Sequence, residues 1–163
     1  MAKGPVVAIV MGSDSDLPVM SESTKVLEDF GVYYKKMILS AHRSPDDAAK
    51  FAKTAAAKGF KVIIAGAGGA AHLAGVIASF TTLPVIGVPM ETKELKGIDS
   101  LFSIVQMPSG IPVATVTIGG TGAKNAAILA LEILATNNKN LTKRLEVFKR
   151  SLAASVRAKN KKL

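Results

Sequence analysis

The segment SAHRSP at residues 40–45 places a histidine and an arginine side by side, directly after an apolar run. His42 is one of only two histidines in the chain, and an imidazole can bind or release a proton near neutral pH. Arg43 carries a fixed positive charge that suits an anionic substrate. The pair predicts a general acid/base beside an anion clamp. An exposed loop histidine next to a helix-capping arginine is the alternative, but Ser44 and Pro45 already supply the helix start, so we favour the functional interpretation.

A second polar segment, GSDSD at residues 12–16, precedes a predicted helix. Serine hydroxyls and free backbone N–H groups at a helix start can hold a phosphate. We therefore predict that Ser13 and Ser15 contact a phosphate and that one of the two aspartates contacts ribose hydroxyls. A helix N-cap combined with an Asx turn explains the same residues equally well.

Two glycine-rich segments resemble nucleotide-binding motifs without matching them. GAGGAAH at residues 66–72 partly fits the dinucleotide fingerprint, but it follows the third predicted strand instead of the first, which disfavours NAD. Its glycines are expected to let a ligand lie against bare backbone, and His72 can either polarise a substrate or serve a structural role. GGTGAKN at residues 119–125 breaks the phosphate-loop pattern, so we favour a tight strand-to-helix turn over nucleoside triphosphate hydrolysis.

The polar segments sit in a chain that alternates short apolar runs with helical patterns. Strands are predicted at residues 5–11, 33–39, 61–65, 83–88 and 112–118. Helices are predicted at residues 18–30, 45–59, 101–106 and 141–157. Two more are predicted after the glycine-rich turns at 66–69 and 119–122, and they end at about residues 80 and 134. This α/β pattern predicts a parallel five-stranded sheet covered on both faces, in the flavodoxin-like (Rossmann-like) order 2-1-3-4-5. That order brings the loops at 12–16, 40–44 and 66–72 to one crevice.

The length of 163 residues predicts a single domain, 1–163, with a core at 5–136 and a basic C-terminal helical tail at 139–163. The tail holds nine of the 21 Lys and Arg residues, whereas the other 138 residues hold 12 basic and 11 acidic side chains. The tail also holds one acid, Glu146, so it carries +8 of the net charge of +9. With the charge in the tail, no tryptophan and 5% aromatic residues, a nucleic-acid partner is disfavoured.

The composition also limits the chemistry and the location. The absence of cysteine excludes disulfides and thiolate chemistry, and two histidines are few for a zinc site. No signal-peptide core and no apolar run near the roughly 20 residues of a membrane span are present, so we expect a cytoplasmic protein without a membrane partner. The 48% hydrophobic content favours a large subunit interface, although an alanine-rich core with buried parallel strands explains part of it.

Four segments resemble the N5-carboxyaminoimidazole ribonucleotide mutases of purine biosynthesis, over residues 5–136. They are MGSDSD (11–16), SAHRSP (40–45), AGAGGAAHLAG (65–75) and DSLFSIVQMP (99–108). The resemblance implies a three-layer flavodoxin-like subunit and a homo-octamer. It also implies an isomerase that moves a carboxylate from the exocyclic nitrogen of an aminoimidazole to its C4 carbon, without metal or cofactor.

The resemblance assigns a role to each matching residue. His42 is similar to the general acid/base of the family, which protonates the nitrogen as CO2 leaves and removes the C4 proton after CO2 is recaptured. The substrate-binding residues implied are Ser13, Ser15 and Arg43 for the phosphate, Asp16 for the ribose hydroxyls, Ser40, Ala67 and Gly68 for the CO2 and carboxylate pocket, and His72 at the edge of that pocket.

Three alternatives remain open from the sequence. A related class of carboxylases uses aminoimidazole ribonucleotide and CO2 directly, but its members usually have lysine after the motif histidine and lack the glycine-alanine run. Arg43 and residues 66–71 therefore favour the mutase. A flavodoxin-like binding module without catalysis and a basic scaffold acting through residues 139–163 are the other two. The loop at residues 107–110 is the candidate for completing the site of a neighbouring subunit.

Overall fold

A parallel sheet of five strands in the order β2-β1-β3-β4-β5 forms the centre of the computed structural model, which describes residue 4 and residues 6–161. This confirms the predicted strand order. The strands are β1 (Val7–Met11), β2 (Tyr34–Ile38), β3 (Val62–Ala67), β4 (Val85–Pro89) and β5 (Ala114–Thr115). Pro5 at the predicted start of the first strand, Lys162 of the basic tail and the two ends of the predicted domain lie outside the described residues.

Helices cover both faces of the sheet and give the three layers that were expected. They are α1 (Leu17–Asp29), α2 (Pro45–Ala55), α3 (Leu73–Ser79), α4 (Ile98–Val105), α5 (Gly119–Ala135) and α6 (Lys139–Asn160). One hydrophobic core joins the sheet to α1, α5 and the start of α6, and the other joins it to α2, α3 and α4. Among the described residues, no helix combines the length and the apolarity that a membrane crossing requires.

β1 shows why a central strand is an unbroken apolar run, in contrast to the edge strand β2, which contains the exposed Lys35 and Lys36. All five of its residues are buried: Val7, Ile9 and Met11 enter the first core, and Ala8 and Val10 enter the second. Because successive side chains of a strand point to opposite faces, burial of both faces removes any polar alternation. β1 is therefore an interior strand, paired with β2 on one side and with β3 on the other.

Several predicted boundaries were wrong, and the sheet explains two of them. β5 has two residues instead of the predicted seven, because it is an edge strand paired only with β4 and Pro112 has no N–H to donate to a ladder. β3 continues through Gly66 and Ala67, which were assigned to a turn, because they pair in register with Met11 and Pro89.

The first turn of α5 also differs from its prediction. Residues 119–122 were expected to form a tight turn, but they are helical. A Cβ on Gly122 would lie 1.6 Å from the carbonyl oxygen of Thr117, so glycine lets the helix start against the preceding backbone. α6 begins two residues earlier than predicted, after Asn138, whose side-chain oxygen accepts the Leu141 N–H at 3.1 Å.

We predict that Gly122→Ala destabilises the protein by about 3 kcal/mol or more, because the new methyl group meets backbone that cannot move aside without shifting the start of α5. The matched control is Gly120→Ala in the same turn, where the nearest atom to a new Cβ is Glu22 Cγ at 3.7 Å. We expect that control to be neutral or to stabilise by up to about 1 kcal/mol. Urea unfolding of both variants measures the difference, and equal midpoints would contradict the prediction.

Candidate active site

A cleft of about 630 Å³ opens at the carboxyl ends of β1, β2 and β3. The structure brings all nine residues singled out from the sequence to its walls: Ser13, Ser15, Asp16, Ser40, His42, Arg43, Ala67, Gly68 and His72. The three polar loops meet because the parallel strands that carry them end at the same edge of the sheet. The functional roles of these residues stay predictions.

The two histidines of the chain contact each other in the cleft. His42 Nε2 lies 2.9 Å from His72 Nδ1, and the two rings are nearly perpendicular, at 81°. One nitrogen of this pair must carry a hydrogen and the other must accept it, so the protonation of one ring constrains the tautomer of the other. Both side chains are exposed to the cleft, where a ligand can reach them. The contact joins two loops that lie 30 residues apart in the chain.

Arg43 links the loop after β2 to the end of β1. Its Nη2 donates to the carbonyl oxygen of Gly12 at 3.1 Å, and its backbone N–H donates to Ser40 Oγ at 3.1 Å. A guanidinium has five N–H donors, so one contact to Gly12 leaves others to face an anion in the cleft. The arginine thus holds the loops together while presenting positive charge.

Ser44 does not cap α2 as the sequence suggested. It occupies the N-cap position, but its side chain makes no hydrogen bond to the first turn of the helix. Ser44 Oγ instead contacts the backbone N and O of Ser40, both at 3.2 Å, and Ser44 N donates to Ser40 O at 3.0 Å. These bonds close a tight turn that carries His42 and Arg43, so the hydroxyl positions the loop instead of the helix.

The GSDSD segment forms a capped turn that also lines the cleft, so the two interpretations of its sequence are compatible. Ser13 Oγ accepts the Ser15 N–H at 3.3 Å, and Asp16 Oδ2 accepts the Ser13 N–H at 3.2 Å, which together make a capping box. This single turn, Asp14–Asp16, leads directly into α1. The serines therefore stand at the start of a helix and at the wall of the cleft.

The two aspartates of this segment differ in environment. Burial raises the pKa of Asp16, although hydrogen bonds from Ser13 and Ser15 act in the opposite direction. The hydroxyl of Ser13 is the main cause that lowers the pKa of the exposed Asp14, and the charge of Arg43 adds to it. Asp16 lines the cleft and Asp14 does not. Of the two aspartates, Asp16 is therefore the one that lines the cleft, and its contact with ribose hydroxyls stays a prediction.

The third wall is backbone from the end of β3. Ala67 is buried and Gly68 is exposed, and a Cβ on Gly68 would lie 3.2 Å from Met90 Cβ. Met90 and Glu91, which follow β4, also line the cleft and were missed from the sequence. The signal that could have found them is the predicted order itself, because β4 lies beside β3 and ends at the same edge. Within residues 6–161, no group of three acidic or histidine side chains is arranged to hold a metal ion.

Comparisons with known proteins agree with one another. The sequence pattern of the family described as AIR carboxylase matches residues 6–155. The chain is 57% identical to the N5-carboxyaminoimidazole ribonucleotide mutase of Pyrococcus horikoshii, over 98% of this chain and 89% of that protein. It is 54% identical to the mutase of Thermotoga maritima, over 98% and 92%. The solved structure of Treponema denticola PurE matches with a TM-score of 0.88 and 31% identity, over 98% of each chain.

We predict that Asp16→Asn becomes more stable relative to the wild type as pH rises from about 3 to about 6. Because the pKa of Asp16 is raised on folding, its contribution to stability is present at low pH and is lost as pH rises through the folded pKa. Asparagine carries no charge, and its side-chain oxygen can still accept the Ser13 N–H. The free energy of unfolding, measured in urea at several pH values, gives the difference.

The control for this prediction has the opposite sign. The pKa of Asp14 is lowered on folding, so its contribution is present above the unfolded pKa and is lost as pH falls through the folded pKa. Asp14→Asn should therefore become less stable relative to the wild type over the same rise in pH. Equal pH slopes for the two variants would show that burial of Asp16 does not control its titration.

Proposed function

The chain belongs to the AIR carboxylase family, and we propose that it converts N5-carboxyaminoimidazole ribonucleotide to 4-carboxyaminoimidazole ribonucleotide in de novo purine biosynthesis. The observation that carries the proposal is the position of His42: it contacts His72 at 2.9 Å, next to Arg43, in the cleft that the serine loop and the glycine loop share. The near full-length identity of 57% with a protein named as this mutase supports the same reaction.

Substrate binding follows from the charges of the cleft. Ser13, Ser15 and the free N–H groups of Arg43 hold the phosphate, which a helix start and a guanidinium both favour. Asp16 accepts hydrogen bonds from the ribose hydroxyls. The base then lies toward the two histidines, on the side of the cleft where Ala67 and Gly68 form the wall.

The proposed transfer of the carboxylate requires one side chain that donates a proton to the substrate and later accepts a proton from it. His42 donates a proton to the exocyclic nitrogen as the N–C bond breaks, which releases CO2 and leaves the neutral amine. The C4 carbon then forms a bond with the same CO2, and His42 removes the C4 proton. The two half-reactions balance in protons and electrons, so the proposal includes neither a metal nor a cofactor.

His72 supports this exchange from the edge of the pocket. Its contact with His42 Nε2 couples the tautomers of the two rings, since one nitrogen must donate and the other accept, and it steadies the ring orientation. Ser40, Ala67 and Gly68 enclose the CO2 and the carboxylate. This enclosure keeps water away from the CO2 before it forms its new bond. Gly68 has no side chain, and a Cβ there would lie only 3.2 Å from Met90 Cβ, so this wall is bare backbone packed against Met90.

We propose that the subunit, a single domain over residues 1–163, assembles into a homo-octamer. One face of α4 supports self-association: Ile98, Phe102 and Val105 recur at helical spacing, and together with Leu95 they are 46–57% exposed. Such a contiguous apolar face favours burial against another copy. The exposed loop at residues 107–110 follows α4 and is the part of the chain proposed to complete a neighbouring site.

The proposed setting is the cytoplasm, with a ribonucleotide as the small-molecule partner and without a nucleic-acid or membrane partner. The chain contains no cysteine, and its net positive charge is concentrated in α6, outside the cleft. The first turns of this helix are held by the body of the protein, because Arg144 donates to the carbonyl oxygens of Phe30 and Asp29 at 2.7 and 2.9 Å. α6 is therefore held on the body of the protein by its own contacts, and no bound polyanion is needed to keep it in place.

We predict that the purified protein converts N5-carboxyaminoimidazole ribonucleotide rapidly and that His42→Asn lowers kcat by roughly 10²–10⁴-fold, because asparagine cannot exchange a proton. Product formation is followed by the absorbance of the C4-carboxylated imidazole. Asparagine fits in the exposed turn, so the melting temperature should change little. An unchanged melting temperature shows that the lower kcat comes from lost proton transfer and not from unfolding.

The same assay distinguishes the alternatives. Incubation with aminoimidazole ribonucleotide and bicarbonate tests the carboxylase reaction named in the family description. Faster turnover of that mixture than of the N5-carboxylated substrate would assign the protein to the carboxylases. If neither substrate gives product, a ribonucleotide-binding module without catalysis would be the remaining interpretation of the protein.

We predict that Phe102→Asp raises the protein concentration needed for assembly by roughly tenfold or more, because a charge replaces an aromatic ring in a buried contact. Light scattering coupled to gel filtration gives the mass, which for one chain is 16.9 kDa. Tyr33→Asp is the control, since Tyr33 is exposed to a similar degree but lies between α1 and β2. A monomeric wild type, or an unchanged mass for Phe102→Asp, would contradict α4 as the contact surface.

A further inference from the structure

We infer that Ser100 and Ser103 of α4 are positioning residues for the carboxylate transfer, because they fix the peptide groups of the glycine loop that walls the cleft. The inference rests on the proposed function and extends it to two side chains outside the cleft. Neither serine lines the cleft, and they lie 31 and 34 residues after Gly69, the loop residue that they contact.

The contacts converge on one residue, Gly69. Ser100 is fully buried, and its Oγ accepts the Gly69 N–H at 2.9 Å. Ser103 Oγ has one hydrogen and two acceptors within reach, Asp99 O at 2.8 Å and Gly69 O at 3.2 Å, so its bond to Gly69 is the longer arm of a shared hydrogen bond. Gly69 has a φ of +66°, a conformation that glycine adopts readily but does not hold by itself. The two hydroxyls therefore select one conformation of an otherwise permissive residue.

The neighbouring peptides show why this matters for the cleft. Met90 N–H donates to Ala67 O at 2.9 Å, which anchors the loop on the side of β4. Gly68 lies between this anchor and the one at Gly69, so its exposed backbone has little freedom to move. β4 and α4 together set the distance between the glycine wall and the two histidines.

A buried serine is needed at this place for a specific physical reason. Without its hydroxyl, the half-buried Gly69 N–H would lose its acceptor, and an N–H that is shielded from water without a partner is costly. The loop would then relax to find another partner, and Gly68 would move with it. Transfer of CO2 within a closed pocket depends on such placement, since a misplacement of about 1 Å can cost on the order of a hundredfold in rate.

CO2 is the species most sensitive to this change. It is small and uncharged, so the pocket retains it by shape and not by ion pairing. After the N–C bond breaks, the enzyme can form the C4–C bond or lose CO2 to solution, which leaves aminoimidazole ribonucleotide as the product. A loosened glycine wall favours the second outcome, whereas the phosphate and ribose contacts stay unchanged.

The test follows the label of carboxyl-¹⁴C N5-carboxyaminoimidazole ribonucleotide in excess unlabelled bicarbonate, with an enzyme-free sample as the correction for spontaneous decay. For Ser100→Ala we expect kcat to fall on the order of ten- to a hundredfold with KM nearly unchanged. We also expect a smaller share of the label to appear in the C4-carboxylated product.

Ser23→Ala is the matched control. Ser23 is also fully buried, and its Oγ donates to the carbonyl oxygen of Ala123 at 2.7 Å, between α1 and α5 and away from the cleft. The variant should lower the melting temperature without lowering kcat or the retained label. A purely structural role for Ser100 predicts the same pattern for both variants.

Each outcome decides one point. If the wild type forms no labelled product, the proposed function fails. If the wild type is active but Ser100→Ala retains as much label as Ser23→Ala, the positioning role is overturned. If Ser100→Ala does not fold, the half-buried Ser103 supplies the test. Ser103→Ala should retain less label in the product, and Ser103→Thr, which keeps the hydroxyl, should retain as much as the wild type. Equal retention of label by these two variants would overturn the inference.

Discussion

The position of β1 between β2 and β3 is the constraint on which the cleft depends. The chain leaves β1 to form β2 on one side and then crosses to form β3 on the other side. The loops that follow these strands consequently diverge and leave a crevice between them. All residues of β1 are buried on both faces, so the polar groups of its chain segment can appear only after Met11, where the strand ends. The fold thereby concentrates polar chemistry at one edge of an apolar sheet.

Side chains from distant elements take over the backbone hydrogen bonds where the sheet ends. Arg43 satisfies the carbonyl oxygen of Gly12, and Ser100 satisfies the N–H of Gly69. Backbone groups near the end of a strand need partners, and here the partners also fix the loops. The same hydrogen bonds that complete the sheet edge therefore hold the walls of the cleft in place, which is the property that the proposed transfer of CO2 requires.

The sequence was sufficient for the strand order and for the three loops that meet in the cleft, because both follow from local patterns, but it missed Met90 and Glu91 after β4. Apolar runs identify the strands, and the carboxyl ends of parallel strands share an edge. The sequence was insufficient where the hydrogen-bond partner of a side chain could not be foreseen from its position in the chain, or where pairing between strands sets the end of a strand. The hydroxyl of Ser44 bonds to Ser40 instead of capping α2, the pairing of Gly66 with Met11 extends β3, and Ser100 reaches Gly69 across 31 residues. No periodicity in the chain reports these contacts.

α4 connects the two halves of the proposed function. Its inner side carries Ser100, which holds the glycine wall, and its outer side carries Phe102 and the other exposed apolar residues. A helix of eight residues has little stability of its own and depends on packing. Burial of the outer face in an assembly would stabilise the same helix that holds Gly69. In the proposed assembly, docking and the retention of CO2 would thus be linked through one short element, and a change that weakens docking should also loosen the wall of the cleft.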